Sequence, residues 1–393
     1  MPADQVCPNC GTTHTAVFYE IKRVPVHSVL LVTSRDEALN YPSRDIVLAF
    51  CRTCGFIYNT AFDPRVHTYA PGYEATQAFS LTFNAFQHTL AARLVEQYDL
   101  HGKDIVEIGC GLGEFLSLLC ELGDNRGVGF DPAYVDRRSA DQVDERATFI
   151  CDFYSEKYAH YRADFVCCKM TLEHIPQVAE FVGGVRRSLG DCSSQAVVFF
   201  QVPDVTRILR ELAFWDIYYE HCSYFSPASL ARLFRRCGFE VVRLAREYGQ
   251  QYLMIEARVS DAQVRSDEGD DDVVALQRDV AHFAQNYMRR LETWRCRLQD
   301  MRRRGQRVVI WGAGSKAVAF LTTLDVREDV EYAVDVNPYR QGTYMVGTGQ
   351  PIVPPSFLQE YRPDVVIAMN PVYCAEIEWD LQRMDVAARL VTV

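Results

Sequence analysis

Five apolar runs, at residues 104–108, 127–131, 147–151, 164–168 and 196–200, alternate with stretches of helical period between about residues 69 and 257. Runs that are apolar at successive positions suit strands covered on both faces. Their alternation with helices predicts a parallel sheet between helical layers, the α/β class. Three further runs, at 308–311, 331–335 and 364–368, surround one helix-forming segment and predict a second, smaller nucleotide-fold domain. Ahead of them Val280, Ala284, Tyr287, Leu291, Trp294, Leu298 and Met301 recur at steps of four and three, an apolar seam of period 3.5 on one long helix. The seam packs on the chain's own domains or pairs with a second copy, so a monomer or a homodimer is expected. The polar stretch SDAQVRSDEGDDD before it reads as a linker. The expected division is 1–68, 69–260, a linker and long helix over 261–305, and 306–393.

Composition narrows the partners. The chain has 393 residues, 48% hydrophobic and 24% charged, enough to bury sizeable cores, and its net charge is −11. Apart from the acidic run at 266–272 that charge is dispersed, so nucleic acid is not an expected partner. No apolar run approaches the roughly 18 residues that span a bilayer. The start, MPADQVCPNC, lacks the basic-then-apolar order of a signal peptide, so no membrane partner and a cytoplasmic location are expected.

The 14 cysteines divide by context. Ten sit singly or in apolar runs, as at Cys167 and Cys168, where reduced buried thiols belong. The other four form two CxxCG knuckles, Cys7 with Cys10 and Cys51 with Cys54. Each knuckle aims two thiolates at one point, and together they give the four sulfurs of a closed structural zinc site. A redox CxxC would need a helix after it. The segment between the knuckles is expected to form strands or a loop packed on them.

Chemistry concentrates after the first apolar run. Glu107, Gly109, Gly111 and Gly113 fall in VEIGCGLGEF, a strand, a glycine turn and a helix start. The glycines stand at alternate positions, unlike the dinucleotide fingerprint, whose third glycine falls one residue later. This spacing resembles the first motif of class I S-adenosylmethionine (SAM)-dependent methyltransferases. Asp131, in GVGFDP, stands where an acid accepts from both ribose hydroxyls, and Asp152 where one accepts from the adenine amino group. Lys169 opens KMTLEHIP, which has the form of the class I segment lining the methyl-donor pocket; His174 in it suits a pocket wall better than a base. The segment is not of the N-P-P-Y type used on bases of nucleic acids, which favours a small substrate.

YYEHCSYFS, residues 218–226, sets Glu220 and His221 in an aromatic patch. Chain order puts it over the carboxyl ends of the strands, where ligands bind in such sheets. Histidine there suits proton abstraction near neutral pH, with a neighbouring acid or phenol to tune it. In the last domain WGAGSK turns from strand to helix, so its amides and Lys316 suit a phosphate or diphosphate. Asp335 and Asn337 suit a ribose or base.

Taken in order, the two knuckles, EIGCGLGEF, LEHI, Y-x-EH-x-x-YFS, GAGSK and VDVNP resemble the three-domain zinc-containing C-methyltransferases that methylate nucleotide-linked keto-deoxysugars. The likeness runs over essentially the whole chain. It implies His221 as catalytic base with Glu220 and Tyr218 beside it, Tyr73 in the pocket, and a last domain that helps hold the substrate's nucleotide, Asn370 included. It implies a class I Rossmann-like sheet between a small zinc-binding domain and a Rossmann-like C-terminal domain. The departures fall at the substrate end: Tyr248-Gly249-Gln250-Gln251-Tyr252 replaces a His-Gly-Gly turn, and Met369-Asn370 replaces a Trp-Asn pair. O- or N-methylation of a non-nucleotide natural-product intermediate is the alternative; a binding module that keeps the fold is a second.

Overall fold

A computed structural model describes residues 6–66, 72–135, 146–190, 195–260 and 271–393. Most of the expected linker, residues 261–270, lies outside them. Strands β1 (Thr15–Pro25), β2 (Ser43–Cys51) and β3 (Ile57–Asn59) form an antiparallel N-terminal sheet behind the knuckles. The central sheet takes β4 (Asp104–Ile108), β5 (Arg126–Phe130), β6 (Ala147–Ile150), β7 (Phe165–Lys169) and β8 (Val197–Pro203). The two-residue β9 (Ser223–Tyr224) leaves that run and pairs with β3, opposite Ile57 and Tyr58. The segment carrying His221 is thereby stitched to the N-terminal sheet.

Strands β10 (Phe239–Glu247) and β11 (Tyr252–Val259) complete a seven-stranded sheet of order β10-β11-β8-β7-β4-β5-β6. Strands β4, β5, β6, β7 and β8 are parallel in it, while β11 runs antiparallel to both β8 and β10. The hairpin escapes a periodicity search tuned to alternating strands and helices, because both its strands follow one another directly. β12 (Val308–Trp311), β13 (Tyr332–Val334), β14 (Ile352–Val353), β15 (Val365–Ala368) and β16 (Arg389–Thr392) form a second parallel sheet of order β14-β13-β12-β15-β16. Of these, β14 and β16 are too short or too exposed to stand out as apolar runs.

In each sheet the order of the parallel strands reverses beside the first of them, between β4 and β7 and between β12 and β15. It is at such a reversal that sheets of this kind open a crevice at their carboxyl ends. Asp131 and Asp335 lie just beyond β5 and β13 rather than inside them, where the side chain is free to turn onto the adjoining loop.

The helix Asp271–Arg303 buries Val280, Leu291, Trp294, Leu298 and Met301 against its own chain. Phe283 meets Tyr19 of β1 edge-on at 5.5 Å, and Trp294 meets Phe320 of the helix Ser315–Leu324 at 5.2 Å. The apolar seam is therefore used within the molecule, joining the N-terminal sheet to the last one.

Candidate active site

The four knuckle thiols converge. Gly11 and Gly55 donate their amides to the Cys7 and Cys51 carbonyls at 2.8 and 2.9 Å, closing each turn with positive φ. Cys7 Sγ lies 3.7 Å from Cys54 Sγ and Cys10 Sγ lies 3.6 Å from Cys51 Sγ. Four Zn–S bonds of about 2.3 Å in a tetrahedron set sulfurs about 3.8 Å apart. The donor set is therefore compatible with zinc, and among the described residues the cluster holds these four thiols alone.

The glycine turn after β4 makes a cradle. A Cβ at Gly109 (φ 71°) would sit 2.0 Å from Thr171 Oγ1, so the turn and the loop after β7 touch backbone to side chain. Gly113 caps the helix Glu114–Gly123 hard against the Phe149 ring, whereas Gly111 has nothing within 4 Å of an added Cβ and faces the open side. Asp131 accepts from the Gly111 amide at 3.0 Å and from the Ala133 amide at 2.8 Å, which pins the acid to the loop.

Glu107 is 2% exposed and accepts from the Leu116 amide, while its Oε2 has no hydrogen-bond partner. Burial pushes its carboxyl above the usual range, and nearby Lys169 opposes that rise. Lys169 is itself lowered by burial; it donates to Gln87 Oε1 at 2.5 Å and stands 3.5 Å over the Phe115 ring. An acid with a spare buried oxygen, a pinned ribose-side acid and an open glycine fit a ligand carrying amine and hydroxyl donors, as the methionine and ribose parts of SAM do. Asp152 differs: its carboxylate accepts from Lys157 at 2.5 Å, Tyr158 at 2.6 Å and the Phe153 amide at 2.8 Å. Those donors hold it down at about 2.

The YYEHCSYFS segment closes over the same crevice. The Cys222 amide donates to the Glu173 carbonyl at 3.0 Å and Ser223 Oγ to the Ile175 carbonyl at 2.7 Å, fixing the segment to the loop after β7. His221 is 3% exposed, with the Tyr218 ring 4.1 Å and the His174 ring 4.9 Å away between centroids. Its Nε2 is 4.0 Å from Glu173 Oε1. Glu220 faces the opposite way, because the chain turns there, the His221 amide donating to the Tyr218 carbonyl at 3.2 Å. It accepts from the Ser28 amide at 3.1 Å, from the Ser28 hydroxyl and from the Tyr73 side chain. Burial outweighs those donors and lifts Glu220 to about 7. Tyr73 and Glu220 thus meet, as do Tyr218 and His221. Glu173 and Ser28 are additions; the first had a signal in its place beside His174, the second had none.

Three of the expected nucleotide contacts, Lys316, Asp335 and Asn370, each already hold a protein partner. Lys316 pairs with Asp216, which also takes Arg207. Asp335 accepts from the Ala313 and Asn337 amides, both at 2.8 Å, repeating the Asp131 arrangement in the second sheet. Asn370 exchanges two hydrogen bonds with Gln251, at 2.7 and 3.1 Å, so the β10–β11 turn is clamped to the last sheet. Arg340, buried and donating to the Ala313 carbonyl at 2.8 Å, is the cation against the GAGS turn that sequence reasoning passed over.

This sheet order, with an open glycine cradle and acids at its switch point, agrees with what the chain is similar to. Residues 81–244 match the family described as a methyltransferase domain, and residues 256–391 match the C-methyltransferase C-terminal domain. The protein is a SAM-dependent methyltransferase, and its central sheet has the class I Rossmann-like order. Among curated proteins it is similar to the C-methyltransferase NovU of Streptomyces niveus, 28% identical over 397 residues that cover 96% of this chain and 91% of the relative. Two solved structures overlap part of it. Human N-acetylserotonin methyltransferase in complex with SAM is 18% identical, with a TM-score of 0.36 over 44% of this chain and 55% of that one. Magnesium protoporphyrin IX methyltransferase from Synechocystis PCC 6803 with bound SAH is 16% identical, with a TM-score of 0.36 over 50% and 92%. Among the described residues no helix is long and apolar enough to cross a membrane.

Proposed function

We propose that the protein methylates carbon, next to a ketone on a nucleotide-linked deoxysugar, with His221 as the base. The observation that carries this reading is the setting of His221: buried over the end of β7, with Tyr218 against its ring and Glu173 at 4.0 Å. A ketone acidifies the neighbouring C–H. His221 takes that proton, and Tyr218 or a Glu220-held water donates to the enolate oxygen as charge develops. Bound SAM supplies an electrophilic methyl on sulfur for the carbon so activated. Glu107, Gly109, Gly111, Gly113, Asp131, Asp152 and Lys169 hold that donor, Asp152 by exchanging Lys157 or Tyr158 for the adenine amine. Tyr73 orients Glu220 and lines the pocket. Cys7, Cys10, Cys51 and Cys54 hold a zinc ion that contributes to folding alone. The similarity of the last sheet to a C-methyltransferase C-terminal domain, over residues 256–391, supports carbon as the acceptor.

On this reading Lys316, Asp335 and Asn370 contact the nucleotide by giving up Asp216, loop amides and Gln251. That all three are engaged by protein groups favours, as a second reading, O- or N-methylation of a non-nucleotide intermediate, with His221 deprotonating a hydroxyl or amine. Calorimetric titration of dTDP into the SAH-saturated protein separates them. Micromolar binding is expected; no heat from dTDP or any other nucleoside diphosphate, while SAH still binds, overturns the nucleotide-linked acceptor.

A further inference from the structure

The proton that His221 removes needs somewhere to go, because methylating a C–H from a sulfonium liberates one proton per turnover and this base is sealed from solvent. Glu173 stands in its path. It lies in the single turn Leu172–His174 after β7, is 1% exposed, and among the described residues no side chain donates a hydrogen bond to either of its oxygens. The backbone fixes its register with the base, since its carbonyl accepts the Cys222 amide at 3.0 Å, one residue past His221.

The other groups facing this carboxyl are poor counter-charges. His174 Nδ1 lies 3.0 Å from the Glu220 carbonyl oxygen, which only accepts, so that nitrogen carries the hydrogen. Burial lowers His174 to about 4 and keeps it neutral. Tyr218, Tyr252, Cys168 and Cys222 also feel the Glu173 charge, and burial raises all four well above neutrality. No described lysine or arginine forms an ion pair with it. His221 is the partner left, at a separation that a small side-chain rotation turns into a hydrogen bond.

We propose that Glu173 is the positioning residue of His221: as a carboxylate it orients and steadies the imidazolium, then takes its proton and returns the ring to the neutral base. This rests on the reading of His221 given above. In the first step the substrate C–H breaks, its electron pair stays on carbon, and the proton bonds to a ring nitrogen. In the second the imidazolium N–H breaks and an O–H forms on Glu173. Burial, which favours the neutral acid, drives that transfer, and the proton reaches water when product leaves. Glu173 and His221 act as a coupled pair that begins with the ring neutral and the acid ionised and takes up the one proton the substrate gives.

The test is ring-nitrogen NMR of the full chain, zinc-loaded and saturated with SAH, titrated from acid to alkaline pH. In the wild type the His221 signals should follow a shared proton near neutrality. In Glu173→Gln that titration should move to lower pH by more than about one unit, over tenfold in proton affinity. SAH affinity should stay unchanged in both, and Glu173→Asp should retain the wild-type midpoint. An equal midpoint in Glu173→Gln overturns the proposal. If Glu173→Gln fails to fold, a Glu173→Asp variant that titrates as if the acid were absent overturns it too. A second equivalent of zinc in the wild type, lost in Glu173→Gln, also overturns it, by making Glu173, His174 and His221 a metal site. Failure of the base assignment reads separately, as turnover that survives His221→Ala.

Discussion

Ser28 gives both its amide and its hydroxyl to the carboxylate of Glu220, 192 positions further along the chain, and its hydroxyl also lies 2.7 Å from that of Ser315. The N-terminal sheet, the segment bearing His221 and the first turn of the helix Ser315–Leu324 therefore meet at one buried carboxyl. Its protonation is a property of the assembled molecule.

That junction has a pH signature. Glu220 is lifted from 4.5 to about 7, so the folded state keeps a proton that the unfolded chain releases. Its contribution is fully present below pH 4.5 and is lost as pH rises to about 7. The loss should be on the order of 3 kcal/mol. Glu220→Gln should flatten that part of the stability–pH curve, measured by denaturant unfolding at fixed ionic strength. A curve that keeps its wild-type slope would assign the proton elsewhere.

His221→Ala should abolish turnover, a loss of at least about a hundredfold for a general base. SAH affinity should stay within about twofold, because Glu107, Asp131 and Gly111, and not this ring, are the groups proposed to hold the donor. Calorimetry and an activity assay on one preparation check both; joint loss would make His221 structural.

Asp131→Ala should weaken SAM by about 2–4 kcal/mol, the value of hydrogen bonds to an ionised acceptor. Part of that comes through the Gly111 amide, which loses its partner at 3.0 Å. Equal affinities in wild type and variant would remove the acid from the ribose site.

Cys7→Ser should lower zinc content and the yield of folded protein together. Three thiolates keep a weaker site, and its metal contributes less to folding. Metal analysis beside thermal unfolding reads this; full zinc occupancy in the variant would sink the four-sulfur site.

Lys316→Ala should weaken dTDP at least about tenfold while costing less than the roughly 3–5 kcal/mol of a buried pair broken outright, because Arg207 still neutralises Asp216. The reverse pattern, intact dTDP binding with a larger stability loss, would make Lys316 a docking residue alone.

What the sequence by itself determined follows from short-range rules. Two CxxCG turns, a glycine turn between an apolar strand and a helix, and an acid one residue past β5 are local patterns. Their chemistry needs only backbone geometry within a few residues. The parallel core strands were legible for the same reason, since burial on both faces leaves unbroken apolar runs. Tertiary structure alone decided where the seam of the helix Asp271–Arg303 packs, because one apolar stripe suits a partner chain or its own domain equally well. It also decided that Glu220 and His221 face different ways, the first onto Ser28 and Tyr73, the second onto Glu173. It gave Lys316 to Asp216 and Asn370 to Gln251, 100 and 119 positions away. Side chains that can bind a ligand can equally bind one another, and only the folded distances choose between the two.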